Sequence, residues 1–321
     1  MKIEKKNTLS FFRKIGKPIV FGLVATMTLV ACSDDDDDDN MTTPTNNNPS
    51  TNTSNLTLSM NGLEDLGANY QYEGWIMVNG TPVSTGTFSV DANGSLSKTS
   101  FAIDANQLSL ATKFILTIEP NPDNDPAPSD QKLIAGDFTN NMASLSTAVA
   151  PAIGDFSNAA GQYFLRTPTD ESGMNNGNDQ FGIWFGTPGM PPTSGFTLPT
   201  LPSGWTYEGW VVTSAGPIST GTFTSFDMAD GSNQFSGTLN NAGPPIPGED
   251  FFNNAPAGQT FPLDLRGKMA VISIEPVPDN SPMPFLLKPL SSMIDANASF
   301  APTTYNFSQN LNSLPTGVVS R

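Results

Sequence analysis

Glu119 and Glu275 each close an apolar run and stand directly before a proline, in the segments TIEP and SIEP. Two carboxylates held about 5–9 Å apart can cleave glycosides, so this pair is the first candidate for catalysis. A carboxylate at a strand end can also simply accept N–H groups from the loop that follows it. Asp123, Asn124, Asp125 and Asp130 come after Glu119, and Asp279 with Asn280 after Glu275. Oxygen ligands at this density suit Ca²⁺, or else turns in which Asx side chains cap the backbone. The second copy carries Ser281 where the first has Asp125. Trp75 and Trp210 could stack on sugars, but their mid-strand setting points to the core. Trp184 and Trp205 flank a proline-rich loop and are the candidates for a partner surface.

Other chemistry is excluded by what is missing. The chain has no histidine, which removes the commonest general base and the commonest metal ligand together. Its single cysteine, Cys32, excludes an intramolecular disulfide. No phosphate-cradling glycine loop, zinc spacing or nucleophile–base pair is present. The expectation is therefore no catalytic residue, no cofactor and no dedicated metal site. Glu119, Asp123, Asp125, Glu275, Asp279, Trp184 and Trp205 remain as candidates for contact with a ligand or calcium. Beyond residue 31 only 8 Lys/Arg face 29 Asp/Glu, a formal net charge of −21. Such a surface repels nucleic acid.

These residues sit on a repeated frame. Tyr72 to Phe88 (YEGWIMVNGTPVSTGTF) and Tyr207 to Phe223 (YEGWVVTSAGPISTGTF) share 10 of 17 positions. Phe114 to Pro128 and Ala270 to Pro284 share 8 of 15, at a larger offset, so the second copy carries an insertion of 21 residues between the two motifs. Alternating residues place Leu56, Leu58 and Met60 on one face of a strand. Apolar residues on both faces of Tyr72 to Val78 suggest a central strand, and Asn79-Gly80 is a hairpin turn. Glycine and proline number 28 each, a density that favours many short strands over helices. The fold expected is all-β: two tandem antiparallel β-sandwich domains arising from internal duplication, over residues 56–158 and 159–321.

The N-terminus is organised differently. Residues 2–17 are basic and residues 18–31 nearly all apolar or small. The apolar stretch is short for a membrane span and has the layout of a secretory signal. Leu29-Val30-Ala31-Cys32 resembles the lipobox of bacterial lipoproteins, which implies cleavage before Cys32 and lipidation of its thiol. Asp34 to Asp39 resembles the acidic tag of surface-exported lipoproteins, so display on the cell surface and a periplasm-facing anchor are both open. Residues 32–55 are expected to form a disordered tether.

Two further resemblances concern the repeats. Ser84-Thr85-Gly86-Thr87 and Ser219-Thr220-Gly221-Thr222 look like the Asp-Thr-Gly loops of aspartic proteases, but serine replaces the aspartate that would act as base. Tyr72, Trp75, Pro82, Gly86, Phe88, Glu119 and Pro120, recurring as Tyr207, Trp210, Pro217, Gly221, Phe223, Glu275 and Pro276, form a pattern similar to the extracytoplasmic C-terminal domain of anti-sigma-K factors. That resemblance implies a small β-sandwich outside the membrane. Sigma-factor binding is not expected of a mature chain placed outside the cytoplasm. The function expected is a non-catalytic binding module, held in the outer membrane through lipid on Cys32, with an envelope protein or glycan as partner. An envelope regulator is the alternative, and a carbohydrate-active enzyme using Glu119 or Glu275 the remote one.

Overall fold

The computed structural model describes residues 52–170, 176–279 and 281–321. The signal segment, Cys32, the aspartate run and Asn280 lie outside the described residues. What is described is almost all antiparallel β. The first half contains β1 (Thr53–Asn61), β2 (Tyr70–Val78), β3 (Thr81–Phe88), β4 (Ser100–Asp104), α1 (Ala105–Leu110), β5 (Ala111–Pro120), β6 (Lys132–Thr139) and β7 (Met142–Leu145). The second contains β8 (Gln162–Leu165), β9 (Gly182–Trp184), β10 (Trp205–Thr213), β11 (Gly216–Phe223), β12 (Gly248–Asp250), β13 (Met269–Pro276), β14 (Leu290–Met293), β15 (Tyr305–Asn306), β16 (Ser308–Gln309) and β17 (Thr316–Ser320).

Eight strands form one sheet in the order β3-β2-β5-β6-β7-β17-β1-β4. Its two ends approach each other, with the Phe88 and Phe101 rings 6.3 Å apart. Leu56, Leu58 and Met60 of β1 alternate into the core as the pattern demands. The short helix α1 starts where the Asp104 carboxylate accepts the Asn106 and Gln107 N–H groups. In the second half a five-stranded sheet, β11-β10-β13-β14-β16, packs on a four-stranded one, β12-β9-β8-β15. Phe185, just past β9, lies against Gly209 of β10, and Tyr163 of β8 meets Ser292 of β14 through their hydroxyls at 3.2 Å. One continuous apolar core runs through both halves.

The two repeat segments fold with the same register. Tyr72 pairs with Phe88 and Tyr207 with Phe223, and each ladder slips by one residue at the Gly-Trp step. The slip leaves Thr85 and Thr220 as the extra residues of two β-bulges. Tyr72 Oη donates to Glu64 O at 3.0 Å and Tyr207 Oη to Pro199 O at 2.7 Å. Trp75 Nε1 donates to Thr117 Oγ1 at 2.9 Å and Trp210 Nε1 to Ser273 Oγ at 2.8 Å. Both tryptophans are buried, Trp75 in a small second cluster with Ile115 and Ala135 on the face opposite the main core.

Two boundaries differ from the sequence expectation. Thr53 to Asn55, expected to belong to the tether, instead pair with Asp104 to Ala102 of β4. Thr316–Ser320 leaves the second half and inserts between β1 and β7 of the first, since Val319 finds full burial there.

The glycine of each YEGW segment is set by close approach. A Cβ on Gly74 would come within 2.5 Å of Thr85 Oγ1 and 2.7 Å of Phe114 Cζ. On Gly209 it would collide with Phe185 and Thr220. Overpacking of this kind costs about 1–3 kcal/mol. Gly209→Ala is therefore expected to lower the unfolding free energy by that amount, read as a lower urea midpoint at unchanged slope, and a midpoint equal to that of the parent protein would refute the packing described.

Candidate functional site

Carboxylates gather where β10, β13 and the loop after β13 meet. Glu208 lies opposite Ser273 in the β10–β13 ladder, and Glu275 stands two residues further along β13. Alternation puts Ser273 and Glu275 on one side of the strand. The proline loop brings Asp279 over the same spot, so that one carboxylate oxygen from each of Glu208, Glu275 and Asp279 lies within 4.8 Å of the others. Glu208 and Glu275 are buried and Asp279 is exposed.

Hydrogen bonds hold the buried pair. Ser219 Oγ donates to Glu208 Oε1. Ser273 Oγ donates to Glu275 Oε1, and the Phe285 N–H reaches both Glu275 oxygens at 3.0 and 3.1 Å. Burial pushes Glu208 and Glu275 each up to about 7, against the opposing effect of these donors. The first half has the same types at Glu73, Glu119 and Asp123. There Ser84 Oγ donates to Glu73 Oε1, and the Ser129 N–H donates to Glu119 Oε1 at 2.9 Å. Glu119 and Glu275 thus both accept backbone N–H groups of their own proline loops.

The other expected residues separate from this cluster. Asp123 and Asp125 close turns, accepting from the N–H groups of Asp125 at 2.9 Å and Ala127 at 3.0 Å. Trp184 and Trp205 do not form a partner surface, because both are buried. Trp184 belongs to a strand flanked by β8 and β12, and its Nε1 donates to Asp250 Oδ1 at 3.0 Å and Arg166 O at 3.1 Å. Trp205 opens β10 and packs on Phe285, the ring centroids 6.1 Å apart.

Beside the carboxylates lies a cleft of about 500 Å³. Leu66, Tyr70, Ile118, Pro276 and Phe285 give it apolar walls, and Glu64, Asp65, Glu275 and Asp279 give it acidic groups. Residues of both halves contribute, and Gln131 Nε2 donates to Val277 O across it at 2.5 Å. Burial raises Glu64 to about 7, with Lys288 acting in the opposite direction. Glu64 and Glu208 were not among the residues singled out from sequence. Nothing in their spacing links either to Glu275: the β10–β13 register brings Glu208 to it, and Glu64 joins from the loop between β1 and β2.

A second acidic group fills the insertion. Asp230 accepts from the N–H groups of Ser232 and Gly248, both at 2.9 Å. Glu249 accepts from Ser236 Oγ at 3.3 Å and the Asp250 N–H at 3.1 Å. Asp250 accepts from the Thr169 N–H at 2.8 Å and from Trp184 Nε1. Comparison of the chain with protein-family models, curated proteins and solved structures gives no match.

Burial holds Asp230, Glu249 and Asp250 each at about 7. A group whose folded pKa is raised binds more protons folded than unfolded, so its contribution is complete below about pH 4 and is lost as pH rises through about 7. Each raised pKa unit corresponds to about 1.4 kcal/mol between the two forms. The thermal midpoint is expected to fall by several degrees between pH 5 and pH 8, and Glu249→Gln to flatten that slope. A midpoint that rises over this interval would contradict the assignment.

Proposed function

We propose that the protein is a lipid-anchored, non-catalytic binding module of the bacterial outer membrane, taking an envelope protein or glycan in the cleft between its halves. The cleft is the observation that carries this reading. Its apolar walls and few acidic groups have the make-up of a ligand site, and its volume of about 500 Å³ admits a short segment of a larger ligand. Catalysis by the neighbouring carboxylates is disfavoured because Glu208 is buried and does not line the cleft, and Glu275, which does, already accepts from Ser273 Oγ and the Phe285 N–H. The anchor rests on the Leu29-Val30-Ala31-Cys32 exit and the basic and apolar segments before it. Two acyl chains on Cys32 would hold the protein stably where one would not.

Two measurements test the two parts. Cys32→Ser is expected to move the protein from the membrane fraction to the soluble one; unchanged membrane association would reject the lipid anchor. Residues 50–321, screened by calorimetry against defined envelope glycans and cationic peptides, are expected to bind at least one. Tyr70→Ala, on the cleft wall, is expected to weaken that binding by about tenfold, since an aromatic anchor in such a site is worth more than 1 kcal/mol. Equal binding by the variant would place the ligand elsewhere.

A further inference from the structure

The carboxylate cluster has one unmet hydrogen-bond acceptor. Glu208 is 5% exposed, and its Oε2 is buried with no hydrogen-bond partner, while Oε1 is taken by Ser219 Oγ. A buried carboxylate oxygen without a partner costs free energy unless a cation or donor meets it. No side-chain cation does so among the described residues. Lys113, Lys132 and Arg266 pair with Asp137, Asp130 and Asp264, and Lys288 Nζ donates to Phe285 O at 2.6 Å. The missing group must be small, because two of the three carboxylates are buried.

We propose that Glu208, Glu275 and Asp279 bind one calcium ion at the edge of the cleft. Three oxygens within 4.8 Å of one another can be bridged by an ion that takes its ligands at about 2.3–2.6 Å. Mg²⁺ spans only about twice 2.0–2.1 Å and demands octahedral regularity. Carboxylates without nitrogen or sulfur disfavour zinc and copper. Exposed Asp279 gives the ion a path in and leaves room for waters to complete its shell. Its Oδ1 also accepts the Ser281 N–H at 2.8 Å, which fixes the loop over the site.

The first half shows why the second is singled out. Thr117 stands where the second half has Ser273, and its hydroxyl donates to Glu73 O at 3.4 Å. Ser273 Oγ instead donates to Glu275 and draws that carboxylate along the strand. Among the described residues only the second-half set converges. The inference does not depend on the ligand proposed for the cleft, nor on the anchor.

The full-length protein, freed of metal with a chelator, is titrated with CaCl₂ by calorimetry and by thermal unfolding. One site is expected, with a Kd of about 10⁻⁴–10⁻³ M as in extracellular calcium modules, and a thermal midpoint raised by several degrees at about 10 mM Ca²⁺ but less by Mg²⁺. Asp279→Asn, at an exposed position, and Glu208→Gln are each expected to weaken binding by about tenfold or more. Glu73→Gln, the first-half counterpart, should bind as the parent does. No saturable binding by about 10 mM Ca²⁺, or equal loss in all three variants, would overturn the site. Loss in Glu208→Gln alone, with Asp279→Asn binding normally, would overturn it too, since that pattern marks a folding defect.

Discussion

A strand covered on both faces must meet most of its buried polar atoms with partners inside the protein, and β2 and β10 are such strands. Tyr72 and Ile76 enter the main core while Trp75 enters the opposite cluster. The indoles and glutamates of the YEGW segments meet hydroxyls on neighbouring strands, whereas Trp205 Nε1 and Glu208 Oε2 are buried without a hydrogen-bond partner. Thr117 and Ser273 take the indole N–H groups, and Ser84 and Ser219 donate to the glutamates. The glycines between them are equally forced, since the bulged threonines and the aromatic rings opposite fill the space a Cβ would need. Register, bulge and residue type are thus one arrangement rather than three separate features.

This explains what was legible before any coordinates. The YEGW segments, the Asn79-Gly80 turn and the alternation of Leu56, Leu58 and Met60 are local signals, and each maps onto a strand or turn where expected. The antiparallel all-β class follows from them. The burial of Trp75 and Trp210 follows as well, because it depends on strand position. Trp184 and Trp205 escaped the same logic. Gly186, Pro188, Pro202 and Gly204 stand close to them in sequence, but their neighbours in space are Asp250 and Phe285, which are distant along the chain. The acids of the insertion were unreadable for the same reason. Asp230, Glu249 and Asp250 lie in glycine- and proline-rich segments that carry no periodicity, yet they are buried.

The two halves also show how small a change separates a structural carboxylate from a ligand-ready one. Glu73, Glu119 and Asp123 match Glu208, Glu275 and Asp279 in type, and Glu119 and Glu275 make the same backbone contact. The extra methyl of Thr117 relative to Ser273 accompanies a different direction for the hydroxyl. The insertion adds a further difference. Asp230 packs against Gly221, placing one more buried acid near Glu208 with no equivalent in the first half. Equal motifs therefore do not give equal sites, because each site is completed from outside its motif.

The place of β17 bears on how the molecule comes to be assembled. It lies between β7 and β1, so the sheet that opens near residue 53 is closed by a segment more than 250 residues later in the chain. As the polypeptide emerges, β1 and β7 present bare edges that nothing nearby in sequence can cover. The sheet of the leading half is complete only once β17 has joined it. Contacts this remote slow folding, so the ladders that β17 makes with β1 and β7 are expected to be among the last to form.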